Sequence, residues 1–285
     1  MKPAPFAYHS PATVDAMLAL LAEHGDDGKV IAGGQSLVPT MNFRLARPAH
    51  LFDLNTVSEL DFLRVEAGRL RIGALTRHAA FHSPPEDGVL GRLLAEVAQN
   101  IAHHPIRQRG TFCGSVAHSD PASEWCLVTA TLEAEVVARS RAGQRLIRSG
   151  EFFQGAFATE LRADELLTEI RLPLLDASWC AGFHEFSRRA GDFAIAMSLA
   201  ALRIDRGTIV EARVGVGGVE DRPRRIPEAE SALAGRPPGA QAFAAAAQAV
   251  AQALRPMEDL QANAAYRRDL VRTTTRRALE KACAT

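Results

Sequence analysis

Lys29-Val30-Ile31-Ala32-Gly33-Gly34-Gln35-Ser36-Leu37 runs from a short apolar strand straight into two adjacent glycines and a hydroxyl. Paired glycines let the backbone take positive φ and turn consecutive N–H groups toward one point. Such a concavity binds anionic oxygens. Ser36 adds a hydroxyl donor, and a helix expected over 38–45 adds the positive end of its dipole. The loop has no lysine and so is not a G-x-x-x-x-G-K-[ST] phosphate loop; nor does it have G-x-G-x-x-G spacing. Standing alone, it reads equally as a tight strand-to-helix turn without a ligand.

A second stretch supplies what the first lacks. Arg109-Gly110-Thr111-Phe112-Cys113-Gly114-Ser115-Val116-Ala117-His118-Ser119-Asp120-Pro121-Ala122-Ser123-Glu124-Trp125 is dense in small residues, hydroxyls and turn formers. It leads into an apolar helix over 126–132, with Asp120 before Pro121 as the expected N-cap. N–H groups for phosphate and carboxylates for sugar hydroxyls suit a ligand that is both diphosphate and polyol. The bland alternative is an N-capped helix after an irregular loop. A third glycine run, Gly215-Val216-Gly217-Gly218-Val219-Glu220, imitates a nucleotide fingerprint but has Glu220 where the last glycine belongs. It reads as a strand end and turn.

Around these loops the chain alternates helices and hairpins. Ser10-Pro11 reads as a helix start, with Val14, Met17, Leu18 and Leu21 at helical spacing. Strands are expected over 29–32 and 51–54, and hairpins over 63–74, 135–147 and 198–215. Helices are expected over 90–102, 240–254 and 263–282, and strands over 166–172 and 182–188. The pattern is α+β without regular βαβ alternation. It divides into units over 1–56, 57–176 and 177–285.

Composition sets the outer limits. The chain has 285 residues, 47% hydrophobic and 23% charged, enough for a sizeable core. Thirty-three basic residues balance thirty-three acidic ones, which argues against nucleic acid as the partner. Cys113, Cys126, Cys180 and Cys283 form no C-x-x-C pair, so zinc and iron–sulfur sites on this chain alone are not expected. No secretory signal or membrane span is read, and the expected location is the cytoplasm.

Other residues with chemical potential weigh less. His78 and His82 have i,i+4 spacing but no evident third ligand, so no metal site is assigned. Ser115, His118 and Asp120 are hydrolase residue types, but they sit too close in sequence for the usual triad and lack a G-x-S-x-G elbow. The basic run Arg267, Arg268, Arg272, Arg276, Arg277 and Lys281 reads as a solvated face or as a docking face for a partner.

Together the motifs carry a resemblance. Ala-Gly-Gly-x-Ser-Leu at 32–37 is followed by His103-x-x-Ile106-Arg107-x-x-Gly110-Thr111-x-x-Gly114-Ser115-x-Ala117-His118-x-Asp120-Pro121-Ala122. Arg188-Arg189-Ala190-Gly191-Asp192-Phe193-Ala194, Val216-Gly217-Gly218-Val219 and Tyr266-Arg267 come next. In this order the chain is similar to the FAD-binding (medium) subunit of molybdenum hydroxylases, the carbon monoxide dehydrogenase and xanthine dehydrogenase family. The resemblance implies a vanillyl-alcohol-oxidase-like (PCMH-type) FAD-binding fold in two subdomains, with a smaller C-terminal domain of antiparallel hairpins and helices. It implies FAD between the glycine loops. Ala32, Gly33, Gly34, Gln35, Ser36 and Leu37 contribute from the first, and Thr111, Cys113, Gly114 and Ser115 from the second. His118, Asp120 and Glu124 fall near the cofactor's hydroxyls, and Asp192 and Phe193 near the isoalloxazine ring. Cys113 stands where the family usually has glycine, and Glu124 where it often has aspartate.

What the resemblance implies about function is electron relay, with no catalytic acid or base on this chain. Electrons would pass from [2Fe–2S] clusters on a small subunit, beside a large molybdopterin subunit, through FAD to an external acceptor. The assembly would be a dimer of heterotrimers. Two other readings stay open at this point: a stand-alone FAD oxidoreductase of the same fold, and a binding scaffold that has lost its flavin.

Overall fold

The computed structural model describes residues 2–284. The chain begins with β1 (Ala7–His9), α1 (Val14–His24), β2 (Gly28–Ile31), α2 (Leu37–Asn42) and β3 (His50–Asp53). The strands pair in parallel in the order β1-β3-β2, with α1 and α2 as the crossovers that parallel pairing requires. Val14, Met17, Leu18 and Leu21 form the buried stripe of α1, as their spacing predicts. The cap is Thr13, not Ser10: Thr13 Oγ1 accepts from the Ala16 N–H at 3.2 Å. Ser10 bonds the Thr56 hydroxyl and the Pro11 carbonyl accepts from it, which keeps residues 10–12 outside the helix. α2 stops at Asn42, short of the expected 45. Arg44 takes φ +59°, and the Leu45 and Ala46 N–H groups fold back onto the Thr40 carbonyl.

The middle of the chain contributes β4 (Leu63–Glu66), β5 (Arg69–Gly73), α3 (Val89–Asn100), α4 (His104–Arg107), α5 (Phe112–His118) and α6 (Glu124–Thr131). β6 (Glu135–Ser140), β7 (Gly143–Arg148), α7 (Ser149–Phe152), β8 (Phe153–Gly155), β9 (Ala158–Thr159) and β10 (Leu166–Pro173) follow. A five-stranded antiparallel sheet runs β4-β5-β10-β6-β7, and β8 pairs with β9. The first hairpin turns on Ala67 and Gly68, both at positive φ, as a tight two-residue connection demands. The polar stretch over 111–125 is not irregular. It holds all of α5 and the start of α6.

β11 (Trp179–Phe186), β12 (Ala196–Asp205), β13 (Thr208–Gly217) and β14 (Arg224–Arg225) form an antiparallel sheet in that order. α8 (Pro227–Leu233), α9 (Ala240–Ala253) and α10 (Ala264–Ala282) complete the chain. β13 ends at Gly217 and turns at Gly218 with φ +76°, so the third glycine run is a strand end, as read.

Strand alternation splits this sheet between two cores. Phe183, Met197, Leu199 and Ala201 join the large core that contains α3, α5 and α6. Ala196, Ala200, Leu202, Val214 and Val216 join Val271, Ala278 and Leu279 of α10 and residues of α9. Gly182 lets α10 approach, because any Cβ there would overlap the Ala278 carbonyl. Cys180 of β11 and Cys283 after α10 bring their sulfurs to 3.9 Å on that side.

The basic run of α10 is largely paired within the chain. Arg267 is 2% exposed and donates to the Ile195 and Gly218 carbonyls, at 2.7 and 2.5 Å, and to Asp259 at 2.6 Å. It fixes the ends of β12 and β13. Arg272 bonds Asp269, Arg276 bonds Glu280, and Lys281 reaches Glu96. Among the described residues no helix is long and apolar enough to cross a membrane.

Candidate cofactor site

The two glycine loops, far apart in sequence, meet. Gly33 lies so close to Arg109 and Gly110 that a Cβ would overlap their backbone. A side-chain network holds them in register. Asn55 Nδ2 donates to the Ala32 carbonyl at 2.9 Å and to Asp53 Oδ1 at 2.6 Å. Arg77 donates to Asn55 Oδ1 at 2.6 Å and also to the Arg109 carbonyl, so one guanidinium ties both loops together.

Several of their backbone donors are unused among the described residues. Gly34 takes φ +71° and the Val38 N–H returns to its carbonyl at 3.0 Å, turning the chain into α2. Among the described residues, the N–H groups of Gly33, Gly34, Gln35, Ser36, Thr111 and Cys113 find no hydrogen-bond acceptor. Thr111 caps α5 by accepting from the Gly114 N–H at 3.0 Å. Unsatisfied N–H groups from two adjoining loops make an anion cradle.

The second loop is rigidly backed. The His78 N–H donates to the Gly110 carbonyl at 2.9 Å and the Phe112 N–H to the Thr76 carbonyl at 3.0 Å. Gly110 lies on the His78 ring with no room for a Cβ. Trp125 Nε1–H donates to His78 Nδ1 at 2.9 Å. Burial, helped by Arg107 and Arg77, pushes the His78 imidazole down to about 4. It is therefore neutral, with its proton on Nε2. His82, in contrast, meets the Arg107 guanidinium, and no cluster of metal-ligand residues occurs among the described residues. Cys113 points its thiol away from the cradle, toward the Ile72 and Gly73 carbonyls of β5, both at 3.5 Å. Burial raises its pKa.

The α5–α6 connection forms the far end of the site. Ser119, at φ +55°, donates to the Gly155 and Ala158 carbonyls, both at 3.2 Å. Asp120 is not the N-cap of α6. Its Oδ1 accepts from Ala122 N–H at 2.9 Å in a local turn, and the helix starts after Ser123. His118 packs tilted against Phe157 with ring centroids 5.0 Å apart, and burial lowers its pKa. The Pro121 carbonyl accepts from the Gly218 N–H at 2.8 Å, joining this turn to the C-terminal sheet.

Glu124 opens α6 at 9% exposure, and its carboxyl accepts from its own backbone N–H. Burial first, then the Asp120 charge, pushes its carboxyl up to about 7. Across the interface is Glu185 of β11, whose Oε2 is buried without a partner among the described residues. Burial and the Glu124 charge push it up to about 9.

Arg188 to Ala194 form the rim. Gly191 takes φ +85° and abuts the His103 ring and the Ala102 carbonyl. The Asp192 N–H returns to the Arg189 carbonyl at 3.1 Å, and Phe193 stands 68% exposed. Thus 32–37 and 111–115 come together, His118, Asp120 and Glu124 lie one α5 length away (about 10 Å), and Phe193 projects from the other domain. Asn55, Arg77 and Glu185 were not singled out by sequence; His78 was weighed there only as a metal ligand, and Trp125 only closed the second stretch. Their only sequence signal is Glu185, a carboxylate closing the apolar row Trp179, Ala181, Phe183.

The cradle therefore offers N–H donors for a diphosphate, a buried carboxyl for hydroxyls, and an exposed aromatic ring for a flat heterocycle. Comparison with known proteins agrees. A family model described as the FAD binding domain in molybdopterin dehydrogenase matches residues 4–175, and one for the CO dehydrogenase flavoprotein C-terminal domain matches residues 181–282. The 6-hydroxypseudooxynicotine dehydrogenase complex subunit alpha of Paenarthrobacter nicotinovorans is 41% identical, over 99% of this chain and 96% of its own length. The carbon monoxide dehydrogenase medium chain of Hydrogenophaga pseudoflava is 34% identical over 100% and 99%. The solved carbon monoxide dehydrogenase of that organism matches with a TM-score of 0.96 at 36% identity, covering 100% of this chain and 99% of the other. Quinoline 2-oxidoreductase of Pseudomonas putida 86 matches at 0.91 and 35%, covering 99% and 98%. The chain belongs to the FAD-binding flavoprotein subunits of the molybdopterin dehydrogenases, the carbon monoxide dehydrogenase family.

Proposed function

We propose that this chain carries FAD as the electron-transfer subunit of a multi-subunit molybdenum hydroxylase. Electrons arrive from [2Fe–2S] clusters on a small subunit, which receive them from a molybdopterin-bearing large subunit, and leave through FAD to an external acceptor. The assembly is a dimer of heterotrimers in the cytoplasm. The observation that carries the reading is the meeting of two glycine loops in which the N–H groups of Gly33, Gly34, Gln35, Ser36, Thr111 and Cys113 have no acceptor among the described residues.

The residues divide the cofactor between them. Ala32 to Leu37, Thr111, Cys113, Gly114 and Ser115 hold the diphosphate, Cys113 through its backbone alone. His118, Asp120 and Glu124 serve the hydroxyls. Asp192 and Phe193 border the isoalloxazine ring from the C-terminal domain. Residues 1–56 and 57–176 form the two FAD subdomains, and 177–285 the domain that covers the ring. Bound flavin accepts electrons and passes them on; the protein binds it, orients it and tunes it. The chain supplies no general acid or base, and substrate choice lies on the molybdenum subunit.

Reconstitution tests this. Substrate of the complex should reduce the flavin only when the iron–sulfur and molybdopterin subunits are both added to the FAD-loaded chain. Reduction by substrate in the chain alone would overturn the relay reading and favour a stand-alone oxidoreductase.

A further inference from the structure

Two carboxyl groups come together between the FAD-binding domain and the C-terminal sheet: among the described residues Glu185 Oε2 has no hydrogen-bond partner, and Glu124 accepts from its own backbone N–H. On β11 the side chains facing the large core are Trp179, Ala181, Phe183 and finally Glu185. Cross-strand register sets Phe183 beside Leu199 and Gly215, and Glu185 beside Met197 and Gly217. On α6, Thr131 and Leu127 pack onto Gly215, where a Cβ would strike both. Glu124 lies two turns before Thr131 on the same helix face. It thus approaches the row that Glu185 closes.

Among the described residues no cation neutralises the pair. Asp120, on the turn before α6, adds a further negative charge to Glu124. Cys126 of α6 and Ser123 just before it are neutral neighbours. His118 packs tilted against Phe157. Met197 and Gly217, from β12 and β13, carry no charge. Arg188, just beyond β11, donates to the Gln261 carbonyl, and Arg267 is committed to two carbonyls and Asp259. His184 and Arg277 contact each other on the α10 side. Two buried carboxylates facing without a cation cannot both ionise at neutral pH; they share a proton.

We propose that Glu185 is a positioning residue that acts through Glu124, holding the shared proton and leaving Glu124 free to accept a hydroxyl of the bound cofactor. The proposal rests on the reading of Glu124 as a cofactor residue. Burial favours the proton on Glu185, the carboxyl raised further. Loss of that proton at alkaline pH sets two like charges against each other across the domain interface, and FAD loosens.

The test is an FAD titration of the full chain, freed of cofactor, from about pH 7 to about pH 9.5. Wild type should weaken roughly tenfold or more over that range. Glu185→Gln keeps a donor and cannot ionise, so its affinity should stay flat and match wild type at pH 7 to within about threefold. Glu124→Gln should bind roughly tenfold or more weakly at pH 7. A flat wild-type profile overturns the proposal, and so does alkaline loss retained in Glu185→Gln. Wild-type affinity in Glu124→Gln overturns the underlying assignment of Glu124 instead. Should Glu185→Gln fail to fold, the wild-type profile decides alone.

Discussion

The two glycine loops hold the same kind of ligand group by opposite means. In the second loop Thr111, Phe112 and Cys113 are buried, a capped helix follows, and His78 and Trp125 stand behind it. In the first, residues 32–37 are half-buried or exposed, and few side chains touch them. The first takes its shape from glycine geometry, from Asn55 and Arg77, and from lying against the second. One loop is a platform held by core packing; the other is a flap positioned by backbone contact. Changes at the contact should therefore act on cofactor binding, and changes behind the platform on stability.

The largest effect belongs to the contact itself. Gly33→Val drives a branched side chain into the Arg109 carbonyl, which can be relieved only by parting the loops. FAD affinity should fall at least about 100-fold in a fluorescence titration, roughly 3 kcal/mol. A Gly33→Val protein with wild-type affinity would show that the loops need not touch.

The platform responds to pH. His78 is buried and neutral, while in the unfolded chain it takes up a proton below about pH 6.5. The stability it contributes is complete above that value and declines as pH falls toward its folded value of about 4. Urea unfolding should show a loss of about 2–4 kcal/mol across that window, and His78→Gln should remove most of this slope. An unchanged slope would mean that other groups control acid stability.

Arg77→Ala should be milder. It leaves Asn55 Oδ1 and the Arg109 carbonyl without their shared donor, for about 1–2 kcal/mol. The loss should fall on FAD affinity more than on the melting temperature. The reverse pattern would make Arg77 a strut of the fold and not a tie between loops. Cys113→Ala should matter least for the cofactor, because the thiol faces β5. FAD affinity should hold within about threefold while stability drops by about 1 kcal/mol, measured by titration and melting.

Much of the fold was legible in the sequence because it is written locally. The α1 stripe, the hairpins and the end of β13 follow from periodicity and turn residues, and the loop motifs pointed to the family. What was misread turns on contacts distant in sequence. Ser10 reads as a cap until Thr56 claims it. Asp120 reads as a cap until its own turn closes on Ala122. The α10 cations read as a solvated or docking face until their partners, Asp259 for Arg267 and Glu96 for Lys281, are seen. Asn55, Arg77, His78 and Glu185 become site residues only when the loops, the sheet and α6 are brought together. No spacing rule couples residue 124 to residue 185.

The central claim is that the two loops together form an FAD cradle. Titration of purified, cofactor-free chain with FAD tests it most directly. The account predicts saturation at one FAD per chain, with protein-bound flavin absorbance at roughly 450 nm, and loss of this binding in Gly33→Val. A wild-type chain that folds but retains no flavin at any FAD concentration would contradict it.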